Sequence, residues 1–134
     1  MAISKSTLEK LKKAAIKASK ASYSPYSKFS VGAAILMEKG KIFSGTNIEN
    51  AAYGLAICAE RVAIVKAVSE GYKNIQAVVV YTPTKTATGC CGACRQFIHE
   101  FGPNCEILSF CDSKKQIATT CKEFLPYSFG PENL

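Results

Sequence analysis

Two short stretches hold the residue types that can do chemistry. They are Cys58-Ala59-Glu60-Arg61 and Cys91-Gly92-Ala93-Cys94. Thiolates are soft ligands that favour zinc, and three protein ligands leave a fourth tetrahedral position open for water. A glutamate two residues from one ligand lies within reach of that water. The set suits a reaction in which zinc-bound hydroxide attacks and Glu60 moves protons. Arg61 is placed to donate hydrogen bonds to the ligand sulfurs. Two other readings stay open on these residues alone. Glu60 could be an acidic residue stabilising a helix N-terminus. Cys90 could join Cys58, Cys91 and Cys94 in a closed structural site, although adjacent cysteines usually point different ways and such a site needs no glutamate.

The elements around these stretches follow from periodicity. Leu8, Leu11, Ala14, Ala15 and Ala18 recur at helical spacing, with lysines largely opposite, which predicts a helix over 7–21. Ser6-x-x-Glu9 reads as its capping box. Its many alanines would let it pack close to a sheet. An aromatic-rich loop follows over 22–30, containing Tyr23, Tyr26 and Phe29. Val31 to Met37 and Ile42 to Thr46 read as a hairpin. Asn47 and Glu49 come next and alternate, so an extended backbone would point both side chains one way. A loop held by Asx-type hydrogen bonds is the competing reading.

Ala59 to Val68 predicts a largely buried helix ended by Gly71. Ile75 to Tyr81 predicts a central strand, because Ala77-Val78-Val79-Val80 is continuously apolar. Gly92 to Phe101 predicts a third helix with Ala93, Phe97, Ile98 and Phe101 inward. His99 falls inside it as a surface or core-edge residue. Strands over 107–111 and 116–119 follow, with Thr120-x-x-Glu123 capping a short last helix. The order αββαβαββ implies an α/β layered fold with helices on both faces. Each cysteine stretch begins a helix that follows a strand, a common ligand position in open α/β sheets. Both helix N-termini would favour thiolates.

Composition narrows the classes. The chain has 134 residues, 48% of them hydrophobic, enough for one domain over 1–134 with a real core. No apolar run reaches the roughly 18 residues of a membrane span. The start leads into an amphipathic lysine-containing pattern and not a signal-peptide core. A soluble, cytoplasmic protein is expected. The net charge is +7, but the positives are scattered, which fits a solvated surface better than a nucleic-acid patch. The seven cysteines are an odd count, so a disulfide framework is a poor reading. Cys105, Cys111 and Cys121 read as small buried hydrophobes.

The two stretches resemble the zinc deaminases, in which Cys-x-Glu or His-x-Glu is followed by Pro-Cys-x-x-Cys and the Glu is not a ligand. The all-cysteine set is similar to the small tetrameric cytidine deaminases. The likeness extends, in order, through residues 23–34, 47–54, 58–61 and 91–96, with Leu125-Pro126 and Phe129 near the end. It implies a three-layer α/β/α fold with a five-stranded mixed sheet. It implies one zinc per chain on Cys58, Cys91 and Cys94, with Glu60 as proton shuttle and Arg61 supporting the thiolates. It also implies that Phe29 stacks near the pyrimidine and that Asn47 and Glu49 hold the ribose 3′-hydroxyl. Ala51 and Tyr53 would approach the sugar in an adjacent subunit's site, and Phe129 would cap the base of yet another. The implied protein is a homotetramer with shared sites. It would act on free pyrimidine nucleosides, with no stable nucleic-acid partner and no membrane. The implied reaction is hydrolytic deamination of cytidine and 2′-deoxycytidine to uridine and 2′-deoxyuridine with release of ammonia, as in pyrimidine salvage. One position departs: Cys90 stands where the pattern has proline. A deaminase for another base and a noncatalytic zinc-stabilised RNA-binding module are the alternatives. Asn47 and Glu49 weigh against the first, and Glu60 against the second.

Overall fold

The structure is a computed structural model and describes residues 2–134, with Met1 outside them. The first helix, α1, spans Lys5–Ser19. Ser4 caps it, its hydroxyl accepting from the Thr7 N–H at 3.1 Å. The expected Ser6 and Glu9 box does not form. Ser4 is the residue with extended backbone ahead of the first turn, so its oxygen meets the free N–H groups. The helix also ends at Ser19, two residues before the expected end. Leu11, Ala15 and Ser19 form its buried edge.

β1 (Gly32–Met37) and β2 (Ile42–Thr46) pair antiparallel across a tight turn at Glu38–Gly40. Lys39 and Gly40 both take positive φ there. α2 (Ala59–Ser69) leads into β3 (Ile75–Tyr81), and α3 (Gly92–Phe101) leads into β4 (Glu106–Phe110). β5 (Gln116–Thr120) pairs with β4, and the one-turn helix α4 (Cys121–Phe124) follows. Thr120 caps α4, accepting from the Glu123 N–H at 3.2 Å, as its spacing predicts. The strand order is β2-β1-β3-β4-β5. β3 and β4 are parallel and the other neighbours antiparallel, so the sheet is mixed. Among the described residues no helix is long and apolar enough to cross a membrane.

The apolar run in β3 explains the layering. Val78 and Val80 join one buried cluster with Ala63 and Ile64 of α2 and Cys94 and Ile98 of α3. Ala77, Val79 and Tyr81 join the opposite cluster with Leu11 and Ala15 of α1. A strand covered on both faces needs apolar residues in both alternating sets. The result is a three-layer α/β/α arrangement around a five-stranded mixed sheet.

Two glycines set the spacing between layers. A Cβ on Gly32 would lie 1.8 Å from the Ala15 carbonyl oxygen of α1. A Cβ on Gly45 would lie 2.6 Å from the Ala63 nitrogen of α2. Helix backbone therefore rests directly on strand backbone on each face. In α3, Cys94 and Ile98 are buried and Phe97 and Phe101 partly so, but Ala93 is exposed. Ala93 sits about 140° around the helix from Ile98, which turns it away from the core. Cys105, Cys111 and Cys121 are buried, as small apolar residues would be.

Candidate metal centre and cleft

Both cysteine stretches end loops that bring them to one end of the central strands, beside Val31 ahead of β1 and Val80 and Thr82 at the end of β3. After β2 the chain returns on itself through a two-residue bridge. Ile48 and Ile57 exchange backbone hydrogen bonds at 3.0 and 2.9 Å. That bridge delivers Cys58 to the N-cap position of α2. Cys91 is the N-cap of α3, and its sulfur accepts from the Cys94 N–H at 3.4 Å. Cys94 lies one turn further on and is buried. The loop after α1 is laid beside the bridge by Tyr23, whose N–H donates to the Asn47 carbonyl and whose carbonyl accepts from the Glu49 N–H.

The three sulfurs lie within 4.8 Å of one another, with Cys58 and Cys91 3.7 Å apart. Thiolates at 2.3 Å around a tetrahedral zinc sit about 3.8 Å apart, so the spacing fits that ion. Two further observations support the fit. The Arg61 Nη2 lies 3.6 Å from the Cys58 sulfur, and its Nε is buried without a partner. A guanidinium beside the sulfurs would offset part of the negative charge of three thiolate ligands. Among the described residues this is the one group of three or more His, Cys, Asp or Glu side chains arranged to hold a metal ion.

The electrostatics agree with the geometry. The Cys94 thiol hydrogen-bonds to Cys58 and, with Arg61, brings the Cys58 thiol down to about 5. The same bond and burial push Cys94 up. A metal bound at these sulfurs would displace their remaining protons. Glu60 is 4% exposed. Burial pushes its carboxyl up, and the nearby Cys58 adds to this. A carboxyl so placed exchanges protons more readily at neutral pH than an exposed one.

A cavity of about 230 Å³ opens beside the sulfurs. Cys58, Glu60 and Cys91 form one wall, and Phe29, Asn47 and Glu49 form another. Asn47 and Glu49 do share one side, and they also hold the loop. Asn47 accepts from the Ser22 hydroxyl at 2.5 Å and the Val31 N–H at 3.0 Å, and its amide donates to the Phe29 carbonyl at 2.7 Å. Glu49 accepts from the Tyr26 and Ser27 N–H groups and the Ser27 hydroxyl. The Ser27 hydroxyl, first among these, holds the Glu49 carboxyl below its ordinary range.

Ala51, Tyr53 and Phe129 do not line this cavity. Ala51 is exposed, Tyr53 is 75% exposed and Phe129 61% exposed. Tyr53 instead walls a neighbouring hollow of about 330 Å³ with Tyr26 and Glu49. Thr82, Thr88 and Gly89 line the cleft without having been singled out by the sequence. Thr82-Pro83 reads only as a strand terminator. Its place at the end of the central strand, ahead of Cys91, was the one usable signal.

A family model for the cytidine and deoxycytidylate deaminase zinc-binding region matches residues 5–109. The chain belongs to the zinc-dependent cytidine deaminase family. A cytidine deaminase from Sporosarcina psychrophila is 44% identical over 128 residues, covering 95% of this chain and 94% of the relative. A probable cytidine deaminase from Dictyostelium discoideum is also 44% identical over 128 residues, covering 95% and 86%. The crystal structure of cytidine deaminase from Burkholderia pseudomallei superposes with a TM-score of 0.86 at 40% identity, covering 90% of this chain and 98% of that one. Deamination of cytidine and deoxycytidine to uridine and deoxyuridine is the general reaction of this family. The three-cysteine cluster of this deaminase domain is able to coordinate a metal ion.

Proposed function

We propose that this chain is a cytidine deaminase that hydrolyses cytidine and 2′-deoxycytidine to uridine and 2′-deoxyuridine with release of ammonia. The observation that carries the reading is a buried glutamate, Glu60, sharing one cleft with three thiol sulfurs set at zinc spacing. Cys58, Cys91 and Cys94 would hold one Zn²⁺ per chain, which when bound lowers the pKa of water and strengthens it as a nucleophile. Glu60 takes one proton from the attacking water and passes it to ring N3. It then takes the proton of the new C4 hydroxyl and passes it to the departing 4-amino group as the C4–N bond breaks, so that water and cytidine become uridine and ammonia. Arg61 offsets the thiolate charge from behind Cys58. Phe29 supplies a flat apolar wall for the base.

Asn47 and Glu49 keep complementary polar capacity after holding their loop. Asn47 retains one amide N–H, and Glu49, with three bonds accepted, retains one acceptor site. A sugar hydroxyl both accepts and donates, so the pair suits the ribose 3′-hydroxyl. A nucleotide substrate is the second reading, because the matching family model includes deoxycytidylate deaminases. Glu49 opposes it, since a carboxylate held in its charged form repels a phosphate near the sugar. The lysines of α1 support free nucleosides over nucleic acid. That helix packs on the sheet face opposite the one carrying α2 and α3.

Ala51, Tyr53 and Phe129 complete the reading as contributions to neighbouring sites in a homotetramer. Their exposure in the single chain supports this. A cytoplasmic role in salvage of pyrimidine nucleosides accords with such a substrate. The test follows the loss of cytidine absorbance and the release of ammonia by reduced protein, with zinc measured in the same sample. The parent is expected to turn over cytidine, and Glu60→Gln to lose about 10²–10⁴-fold in kcat with its zinc retained. Zinc binding with no turnover of either nucleoside by the parent would overturn the proposal.

A further inference from the structure

The segment that carries Cys91 into the cleft has no regular structure between β3 and α3. It also lacks the proline of the family pattern, and the Cys90 N–H in its place has no partner among the described residues. Arg95 supplies the restraint instead. Its Nε donates to the Cys90 carbonyl at 2.8 Å, and its Nη1 donates to the Phe124 carbonyl at 3.1 Å. Its guanidinium lies 4.3 Å from the centroid of the Phe124 ring. Gly89 packs over the same pair, since a Cβ there would meet Arg95 Nη2 and Phe124 Cζ, each at 3.7 Å.

We propose that Arg95 is a positioning residue for the metal centre, orienting the Cys90–Cys91 peptide and through it the Cys91 sulfur. The Cys90 carbonyl and the Cys91 nitrogen belong to one planar peptide, so fixing the oxygen fixes the plane from which Cys91 departs. The other side of Cys91 is fixed by the helix itself, because the Arg95 backbone N–H donates to the Cys91 carbonyl at 3.0 Å, a bond that any residue other than proline would make there. Cys91 is thus held before its Cα by the Arg95 side chain and after it by the backbone of α3. The planar fork reaches two carbonyls while its face stacks on a ring, which a lysine cannot reproduce. Arg95 does not line the cleft, so it acts through Cys91 and not on substrate.

The activity half of the test rests on the deaminase reading, and the metal half does not. Parent, Arg95→Gln and Arg95→Lys are each titrated with Co²⁺ in competition with a chelator. The readout is the thiolate-to-cobalt charge-transfer band. Arg95→Gln is expected to bind cobalt about 10–100-fold more weakly. Its kcat should fall by a similar factor, with KM for cytidine close to the parent's. Arg95→Lys retains the charge and one bond and should lose less. It serves as the deciding variant should the glutamine form fail to fold. Cobalt binding and band position unchanged in a folded variant would overturn the proposal. A parent that binds cobalt but does not deaminate cytidine would sink the activity reading alone and leave the role of Arg95 to the titration.

Discussion

Cys90 shows how one residue can be judged by what its neighbours leave undone. It is 2% exposed, contributes to the core beneath the sulfurs, and its N–H makes no hydrogen bond among the described residues. A proline there would forfeit no backbone bond, and glycine precedes it, so the usual clash with the preceding side chain is absent. Cys90→Pro is therefore expected to fold and keep its metal, the gain of about 0.4–1 kcal/mol from restricting the unfolded chain being reduced by loss of the Cys90 thiol contact with the Glu60 carboxyl. Denaturant unfolding of the two proteins, with zinc content measured in each, checks this. Loss of zinc in the proline variant would show that the backbone ahead of Cys91 differs from the family's. Glu60 makes the complementary point. In sequence it is also an ordinary acidic residue of a helix first turn, and burial beside Cys58 is what raises its carboxyl and suits it to the proposed proton transfer.

At the level of elements, the layers depend on backbone contact. Gly32→Ala would drive a methyl group into the Ala15 carbonyl of α1. Backbone cannot rotate aside as a side chain can, so a loss of about 3 kcal/mol, the upper end for overpacking, is expected. A thermal midpoint near the parent's would contradict this packing. The β1–β2 turn is tied to the segment after α2 by Glu38. Its carboxylate accepts from the Lys73 N–H at 3.0 Å and the Asn74 N–H at 2.9 Å. The bond to Lys73, first among its causes, lowers the Glu38 carboxyl below its ordinary value. A lowered folded-state value means the stabilisation is complete above the unfolded carboxyl's pKa. It is lost as pH falls through the lower, folded value. Glu38→Gln should flatten the thermal midpoint against pH in that acid range and lower it at neutral pH. Parallel melting curves from neutral to acid pH would show that the bond contributes nothing.

At the scale of the whole molecule, the chain presents aromatic and aliphatic side chains that its own fold leaves uncovered. Tyr53, Leu55 and Phe129 are 75, 67 and 61% exposed. Gln96 nevertheless fixes the tail, donating to the Phe129 carbonyl at 2.8 Å, so the ring is held outward in a defined place. Light scattering should give a mass four times the 14.4 kDa chain. Mixed tetramers of Glu60→Gln and Phe129→Ala chains, formed by co-expression, should be more active than either variant alone. Some of their sites then combine an intact Glu60 with an intact Phe129 from another chain. Activity equal to the average of the two parent variants would mean that each site is built within one chain.

The elements were legible because their signals are local. The apolar run in β3 and the helical spacing of Leu11 and Ala15 depend only on near neighbours, and both helices of the metal centre begin at their cysteines. The three-cysteine cluster was legible because residue type and spacing restrict what can be arranged to hold a metal ion. The cap at Ser4 and the outward turn of Ala93 were not, since both depend on where the first turn starts and which side meets the sheet. Tertiary structure alone decided that Thr82 walls the cleft, that Asn47 and Glu49 hold a loop while lining it, and that Arg95 grips the Cys90 carbonyl. Each of these joins residues distant along the chain. Such contacts follow from sheet order and layer spacing, which no short stretch of sequence specifies.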